Sequence, residues 1–397
     1  MENTSVPFLV LGAGLSGLAT AWYLTEAGAR VHVIEAGPRP GGLVQTIHLP
    51  EGLVETAARA FTWSDRVEAL FAAARLTPIH PQDTSKRRFI WRGTRARRWP
   101  LTPWESVQTA GRVAVSWAGR SMRPRERETV AAWGTRVLGP AATRWLIAPA
   151  LQGIYASPPD VLSAPAVFGP GRRIRGRLAA PEDGMGAMAD ALHAQLVSRG
   201  ATFEFNTPAV RLDPSVPTAI CTNAPAAARL LAPHAAKLAD AIGRIRMVSL
   251  FPVTAFYIPR ADDLRGFGVL FPRGAGVDAL GVLFNADIFP GRSPVRSETW
   301  IYGDLDPARL PSSNAGARAR VAADRRAFCG RDDEPIALHA ADAPSLLPVY
   351  DAAVLGAQSA LSTLPPWLGV TGNYLGKLGV SGLLEVAAET ATRLTRS

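Results

Sequence analysis

Pro7-Phe8-Leu9-Val10-Leu11-Gly12-Ala13-Gly14-Leu15-Ser16-Gly17 decides how this chain is read. Pro7 to Leu11 is a short apolar strand that runs straight into a Gly-x-Gly-x-x-Gly turn. An Ala-rich stretch to about Ala27 then reads as a helix, and Arg30 to Ile34 as a second strand ending at Glu35. This is the order of a βαβ dinucleotide site. Gly12 permits the tight turn, Gly14 lets backbone approach a pyrophosphate, and Gly17 lets helix and strand pack closely. The free N–H groups and positive dipole end of the helix face the phosphates. Glu35 stands where a carboxylate accepts ribose hydroxyls and repels a 2′-phosphate.

The pattern continues outward. Ala21 and Gly28 have the spacing that helix–strand packing requires, and Gly37-Pro38-Arg39-Pro40-Gly41-Gly42-Leu43 adds a glycine pair. A second close backbone approach to a diphosphate suits FAD better than NAD. At the other end, Val370 to Val380 closes a strand with Gly372, Asn373, Gly376 and Gly379, then opens a helix from Ser381 to Leu394. A second helix N-terminus aimed at a flavin would stabilise negative charge on the reduced ring.

The 397 residues allow two or three domains, and 47% apolar content supports a large core. Net charge is +10, and only Lys86, Lys237 and Lys377 among the 43 basic residues are lysine. The arginines cluster: Arg87, Arg88, Arg92, Arg95, Arg97 and Arg98 beside Lys86; Arg120, Arg123, Arg125 and Arg127; Arg172, Arg173, Arg175 and Arg177. Guanidinium forks suit carboxylates and phosphates. Anionic substrates, anionic lipid or nucleic acid could each use such a surface, and plain solvation accounts for it as well; of these, no nucleic-acid partner is expected.

Cys221 and Cys329 are isolated, which fits a reducing cytoplasm. Met1 to Ser5 is polar, so no signal peptide is expected. The longest apolar run, Met247 to Ile258, is too short to span a bilayer. Peripheral membrane contact stays open. The histidines lack ligand spacing, and no metal site is expected.

Further elements follow from pattern. Asp65 to Ala74 reads as an amphipathic helix, and Phe89–Trp91 with Arg97–Trp99 as a hairpin. Pro103 to Leu151 is helical with breaks near Pro124 and Gly139-Pro140, and carries Trp104, Trp117, Trp133 and Trp145. Met185 to Arg199 is a helix. Ala201–Phe205, Ala209–Leu212 and Thr218–Cys221 read as short strands. Val248–Tyr257, Gly268–Phe271, Ala279–Phe284 and Thr299–Tyr302 suit a mixed sheet forming a pocket wall.

These pieces together resemble the protoporphyrinogen oxidase family within the flavin amine oxidase superfamily. The resemblance is carried by the fingerprint, Arg88-Phe89-Ile90-Trp91, Leu138-Gly139 through Ile154-Tyr155-Ala156, Gly184-Met185-Gly186, Phe267 to Pro272, Leu280 to Phe284, Phe289 to Arg292, Leu347 to Tyr350 and Gly372 to Gly376. It departs at Ala57-Ala58, where the family has Gly-Pro. Ser381 and Gly382 stand where an acidic residue is usual, and Leu162 to Gly184 is short.

The resemblance implies an α/β fold: a Rossmann-like FAD-binding domain, a mixed-sheet substrate domain and a reduced helical domain. The expected division is FAD-binding 1–62, 181–235 and 345–397, substrate 63–85 and 236–344, and helical, membrane-facing 86–170. It implies hydride removal from a porphyrinogen-like, carboxylated planar macrocycle to flavin N5, with O2 as reoxidant. Arg88 would pair with a propionate, and Leu270, Leu283 and Trp300 would sandwich the ring. Cofactor contacts are expected from Gly12, Gly14, Leu15, Ser16, Gly17, Glu35, Ala36, Arg39, Gly41, Gly42, Leu43, Arg59, Ala209, Gly372, Asn373, Gly379, Val380 and Ser381. Two alternatives remain open: oxidation of an amine or natural-product intermediate, and a flavin- or tetrapyrrole-binding relative without turnover.

Overall fold

The computed structural model describes residues 7–169, 176–341 and 343–396. Arg172, Arg173 and Arg175 of the third arginine cluster lie outside them. The fingerprint strand Phe8–Leu11 is the middle of a five-stranded parallel sheet, ordered Thr202–Glu204, Val31–Ile34, Phe8–Leu11, Thr218–Ile220, Leu368–Val370. The helices Leu15–Glu26, Met185–Ser198 and Val380–Thr395 pack on this sheet through Leu18, Ala21, Met188, Leu192, Leu384 and Ala391. Strands far apart in the chain thus share one layer, and the carboxyl-terminal strand and helix complete it.

A second sheet is mixed. Its order is Ala337–Ala340, Met247–Tyr257, Arg296–Asp304, Gly281–Phe284, Gly268–Leu270, Arg88–Arg92, Arg95–Arg97, and Ala343–Pro348 also pairs with Met247–Tyr257. Only Gly268–Leu270 and Arg88–Arg92 run parallel. One face is covered by helix Asn314–Cys329, whose Ala317, Val321 and Phe328 pack on Trp91, Phe271, Trp300 and Tyr302. Arg325 from this helix meets Glu298 at 3.3 Å, and Asp324 accepts the N–H groups of Asp278 and Ala279. The fold is therefore α/β, a Rossmann-like domain joined to a mixed-sheet domain.

The helical region Pro103–Tyr155 is broken near Pro124 and Gly139-Pro140, as its sequence predicts. Helix Asp65–Ala74 has its expected bounds; Ser64 accepts the N–H of Val67 at the start and Arg75 ends it in the left-handed region. The expected strand Ala209–Leu212 does not form. The chain turns at Asn206 (φ +56°), whose N–H bonds the Gly37 carbonyl, while Thr207 bonds Glu35. Pro208 brings no N–H for a ladder. Ala209 therefore lies on a coil beside the second strand's end.

Candidate functional site

The sharpest constraints sit around the first turn. Gly12 has φ +101°, and a Cβ on it would lie 2.7 Å from the Cys221 carbonyl. A Cβ on Gly17 would lie 1.8 Å from the Gly12 carbonyl, so this glycine serves the helix–strand contact. Gly14 differs: nothing lies within 4 Å of where its Cβ would be. Gly14 and Gly41 form a bridge between the two glycine turns, and a Cβ on Gly42 would lie 3.1 Å from the Gly14 Cα. The two backbones thus meet around an open cradle.

Two helices begin without side-chain caps. Gly14 precedes helix Leu15–Glu26, Gly379 precedes Val380–Thr395, and neither first turn holds an acidic residue. Their N–H groups and dipoles remain available for an anionic or electron-rich group. Leu15 is buried under the first of these, and Ser16 is half-buried.

Glu35 ends its strand with both oxygens turned back. One accepts the Ala13 N–H at 2.6 Å and the other the Gly37 N–H at 2.7 Å. A carboxylate has about four acceptor positions, so capacity for two hydroxyls remains. Ala36 and Leu43 are exposed on the adjoining turn. Arg39 folds over its own loop, donating to Pro40, Gly42 and Gln45 at 2.9–3.0 Å; it braces the glycine pair.

Arg59 is half-buried and donates to the Ala57 carbonyl at 3.1 Å. Burial pulls its pKa down to about 10, against the charge of Glu55. Glu55 is a site residue that pattern reading missed. It accepts the Met185 N–H at 2.9 Å and the Thr46 hydroxyl at 2.8 Å, and pins the start of helix Met185–Ser198. Burial pushes its pKa up, opposed by those bonds and by Arg292 and Arg59. A lone acid ending the apolar strand Gly52–Glu55 was the available signal.

The carboxyl-terminal turn is tightly held. Tyr374 fills the space over Gly372, and the Tyr350 hydroxyl donates to the Asn373 carbonyl at 3.2 Å. Gly379 and half-buried Val380 open the helix. The Ser381 side chain does not face the cradle; it bonds the Thr62 backbone and is 4% exposed. Lys377 pairs with Glu385 at 2.8 Å. Burial holds the Cys221 thiol up at about 11, so it is no nucleophile. These features fit FAD: a cradle bare of side chains, two free helix starts and a carboxylate with spare acceptors.

The expected substrate residues divide between the two faces of the mixed sheet. Cross-strand partners share a face, and faces alternate along a strand. Arg88 pairs with Gly268, Gly268 with Leu283 and Leu283 with Thr299, while Leu270 pairs with Ile90 and Gly281. Arg88, Ile90, Leu270, Leu283 and Ile301 therefore share one face. Arg88 is exposed, lies 4.6 Å from the Phe267 ring centre and has no ion pair among the described residues. Leu283 and Phe267 pack on the cluster that holds Leu15 and Leu384, which joins this face to the dinucleotide domain.

Trp300 is on the other face. It is fully buried, stacks on Phe271 at 5.9 Å and 4°, and donates its N–H to Glu298 at 3.2 Å. The expectation that it sandwiches a ring with Leu270 and Leu283 is corrected: strand alternation turns it toward helix Asn314–Cys329.

The tryptophans of the helical region also divide. Trp133 and Trp145 are half-buried, whereas Trp104 and Trp117 are 69% and 74% exposed. In helix Pro103–Ala118, Trp104, Val107, Gly111 and Val115 form one solvent-facing stripe, and Glu105, Ser106, Thr109, Val113 and Ser116 turn inward. Large apolar side chains thus face solvent while most inward positions are polar. Exposed Trp99 and the exposed arginines Arg95, Arg97, Arg98, Arg112, Arg120, Arg123, Arg125 and Arg127 lie in the same region. No helix among the described residues is long and apolar enough to cross a membrane. A surface groove of about 460 Å³, lined by Tyr23, Ala27, Arg66 and Arg396, lies at the far ends of the two site helices and away from the cradle.

Comparison with known proteins follows the same lines. The family model for flavin containing amine oxidoreductase matches residues 15–302. Chloroplastic protoporphyrinogen oxidase of Nicotiana tabacum is 25% identical over 474 residues, covering 98% of this chain and 85% of that protein. A solved structure from Exiguobacterium sp. 255-15, provisionally assigned as a protoporphyrinogen oxidase, superposes with TM-score 0.81 at 18% identity and 98% coverage of both chains. Cyclohexylamine oxidase from Brevibacterium oxydans IH-35A gives TM-score 0.72 at 16% identity, covering 98% of this chain and 99% of that one. At these identities the two structures establish a shared fold.

Proposed function

The chain belongs to the flavin containing amine oxidoreductase family, and on that premise we propose that it oxidises a carboxylated, planar macrocycle of porphyrinogen type. It is an FAD-dependent oxidoreductase. FAD bound in the cradle supplies a two-electron acceptor at N5, and O2 is the proposed terminal oxidant. One observation carries the substrate reading: the guanidinium of Arg88, without an ion pair among the described residues, shares a face with aliphatic Ile90, Leu270, Leu283 and Ile301, beside the dinucleotide domain.

On that face Arg88 would hold a substrate carboxylate through charge-assisted hydrogen bonds. Leu270 and Leu283 would press on the ring and exclude water, fixing its distance from the cofactor. Carbon-bound hydride leaves without a strong base, and none is built there. The aliphatic lining favours a wide ring over a small amine, which would be better served by an aromatic cage. The proposal keeps the division given above with one correction: Arg88–Arg92 and Arg95–Arg97 are strands of the mixed sheet, so the expected helical part 86–170 gives up its first residues to the substrate part.

Anaerobic mixing of the yellow protein with protoporphyrinogen and coproporphyrinogen tests this. Bleaching of the flavin, then porphyrin and peroxide on admitting air, is the expected result. Bleaching by amines alone would overturn the substrate, and porphyrin binding without bleaching would overturn turnover.

We further propose that the enzyme is cytoplasmic and meets the inner face of an anionic membrane through the Trp104–Val115 stripe and its arginines. Amphipathic aromatics with adjacent cations suit that boundary. Co-sedimentation with phosphatidylglycerol vesicles should be lost in a Trp104→Ser/Val115→Ser variant and absent with phosphatidylcholine. Equal sedimentation of variant and parent would overturn it.

A further inference from the structure

A second, small pocket opens between the helical region and the end of the mixed sheet. It measures about 140 Å³ and is lined by Arg144, Trp145, Ala148 and Gln152 on one side, Pro158 and Pro159 at the base, and Pro272 to Ala275 on the other. A water molecule's share of the liquid is about 30 Å³, so the pocket holds roughly four or five such groups. Whole-ligand sites run to about 300 Å³ or more. This one has the size of a side arm.

Its chemistry is that of a carboxylate receptor. Arg144 lies 4.8 Å from the Trp145 ring centre, and Arg273 donates one bond, 3.2 Å, to the Ala156 carbonyl. Both are exposed, and neither has an ion pair among the described residues. The contrast with nearby arginines is informative: Arg92 is held by Glu105 and Arg136 by Glu128. Asp160, next to Pro159 in the chain, makes no ion pair with either guanidinium. The wall itself is fixed, because the Gln152 amide donates to the buried Phe271 carbonyl at 2.8 Å.

The pocket also stands in a definite relation to the proposed substrate face. Gln152 lines it, while the next residue, Gly153, lies against the Leu270 side chain. Gly268 pairs with Arg88, and Pro272, two residues past the end of that strand, forms the pocket wall. At about 3.3 Å per extended residue, roughly 13 Å separates those two positions. A rigid ring with carboxylates on separate edges spans a distance of that order.

We propose that Arg144 and Arg273 form a second carboxylate subsite, so that the substrate bears carboxylates on opposite edges of its ring. This rests on the macrocycle reading above and narrows it to a ring carrying acid arms all round. Stable porphyrins serve as probes: coproporphyrin III has four propionates, whereas deuteroporphyrin IX has two on one edge. Dissociation constants would be measured by porphyrin fluorescence on the FAD-loaded protein, its variants checked for flavin content and thermal midpoint.

Arg144→Ala/Arg273→Ala is expected to weaken coproporphyrin binding roughly tenfold or more and deuteroporphyrin binding less than twofold. Arg88→Ala should weaken both. Equal losses for the two porphyrins in the double variant, or no loss, would overturn the subsite and leave the macrocycle reading standing. Parent protein that binds neither porphyrin would overturn both.

Discussion

Ser381 and Thr62 exchange two hydrogen bonds across 319 residues of chain. The Ser381 hydroxyl donates to the Thr62 carbonyl at 2.8 Å and accepts the Thr62 N–H at 2.9 Å. Thr62 belongs to a two-residue strand with Phe61, directly after the Glu55–Arg59 segment. Ser381 is in the first turn of the closing helix. The bond pair therefore locks that helix start to the segment bearing Arg59. Ser381→Ala would leave both backbone groups of Thr62 without their buried partner. We expect a loss of about 1–3 kcal/mol in denaturant unfolding, with weaker FAD retention. Unchanged stability would mean water replaces the hydroxyl.

The fingerprint glycines should fail in different ways. Gly14 has free space at its Cβ position, whereas a Cβ on Gly17 would overlap the Gly12 carbonyl at 1.8 Å. Gly14→Val is thus expected to fold with a near-parental melting curve and purify without flavin colour, its side chain filling the cradle. Gly17→Ala should lower the melting temperature itself, by the backbone shift it forces. A yellow, active Gly14→Val protein would show that no phosphate approaches there.

The first sheet was legible because its signals are local: glycines, a terminal acid and alternating apolar strands lie within a few residues of one another. The face assignment of the mixed sheet was not. Trp300 and Leu283 look equally suited to a pocket, and only the register Trp300–Val282, one residue off Thr299–Leu283, sends them to opposite sides. Helix Asn314–Cys329 was hidden for another reason. Its covered face includes Asp324 and Arg325, whose partners come from residues 278, 279 and 298, so local hydropathy gives no sign of burial. Among the expected cofactor contacts, chain position alone points to Ser381, but its side chain answers to Thr62. The exposed stripe of helix Pro103–Ala118 reads as ordinary amphipathicity until Trp104, Val107 and Val115 are seen on the solvent side and Glu105, Ser106, Thr109 and Ser116 on the inner one.

Acid should loosen the helical region at its base. Glu105 takes both guanidinium nitrogens of Arg92, at 2.6 and 2.8 Å, and caps its helix by accepting the Thr102 N–H at 2.7 Å. The Arg92 bonds, then the Thr102 bond, hold its carboxyl down at about 2 from an ordinary 4.5. Above pH 4.5 the carboxylate is charged in both folded and unfolded chains, and its stabilisation is complete. Below that the unfolded chain takes up the proton first, so stability drains away as pH falls toward 2. Denaturant midpoints of parent and Glu105→Gln should differ at neutral pH and converge on acidification across this window. A gap that stays constant would remove Glu105 as its source.

Arg88 and Trp300 should part company in kinetics as they do in space. Arg88 is exposed on the face shared with Leu270 and Leu283, and its guanidinium has no carboxylate partner among the described residues. If it holds a substrate carboxylate, Arg88→Ala removes a charged hydrogen bond of about 1.5–3 kcal/mol, seen mainly as a higher KM. Melting should hardly change. Trp300 instead fills the core under helix Asn314–Cys329, stacked on Phe271 with its N–H on Glu298. Trp300→Ala should therefore cost about 3–5 kcal/mol of stability, while Trp300→Phe, which keeps most of the packing, should leave KM near the parental value. The discriminating measurement is the pair of KM values for a carboxylated porphyrinogen, taken at a temperature where each variant is folded. A raised KM in Trp300→Phe alongside an unaltered one in Arg88→Ala would place the ring on the wrong face of the sheet.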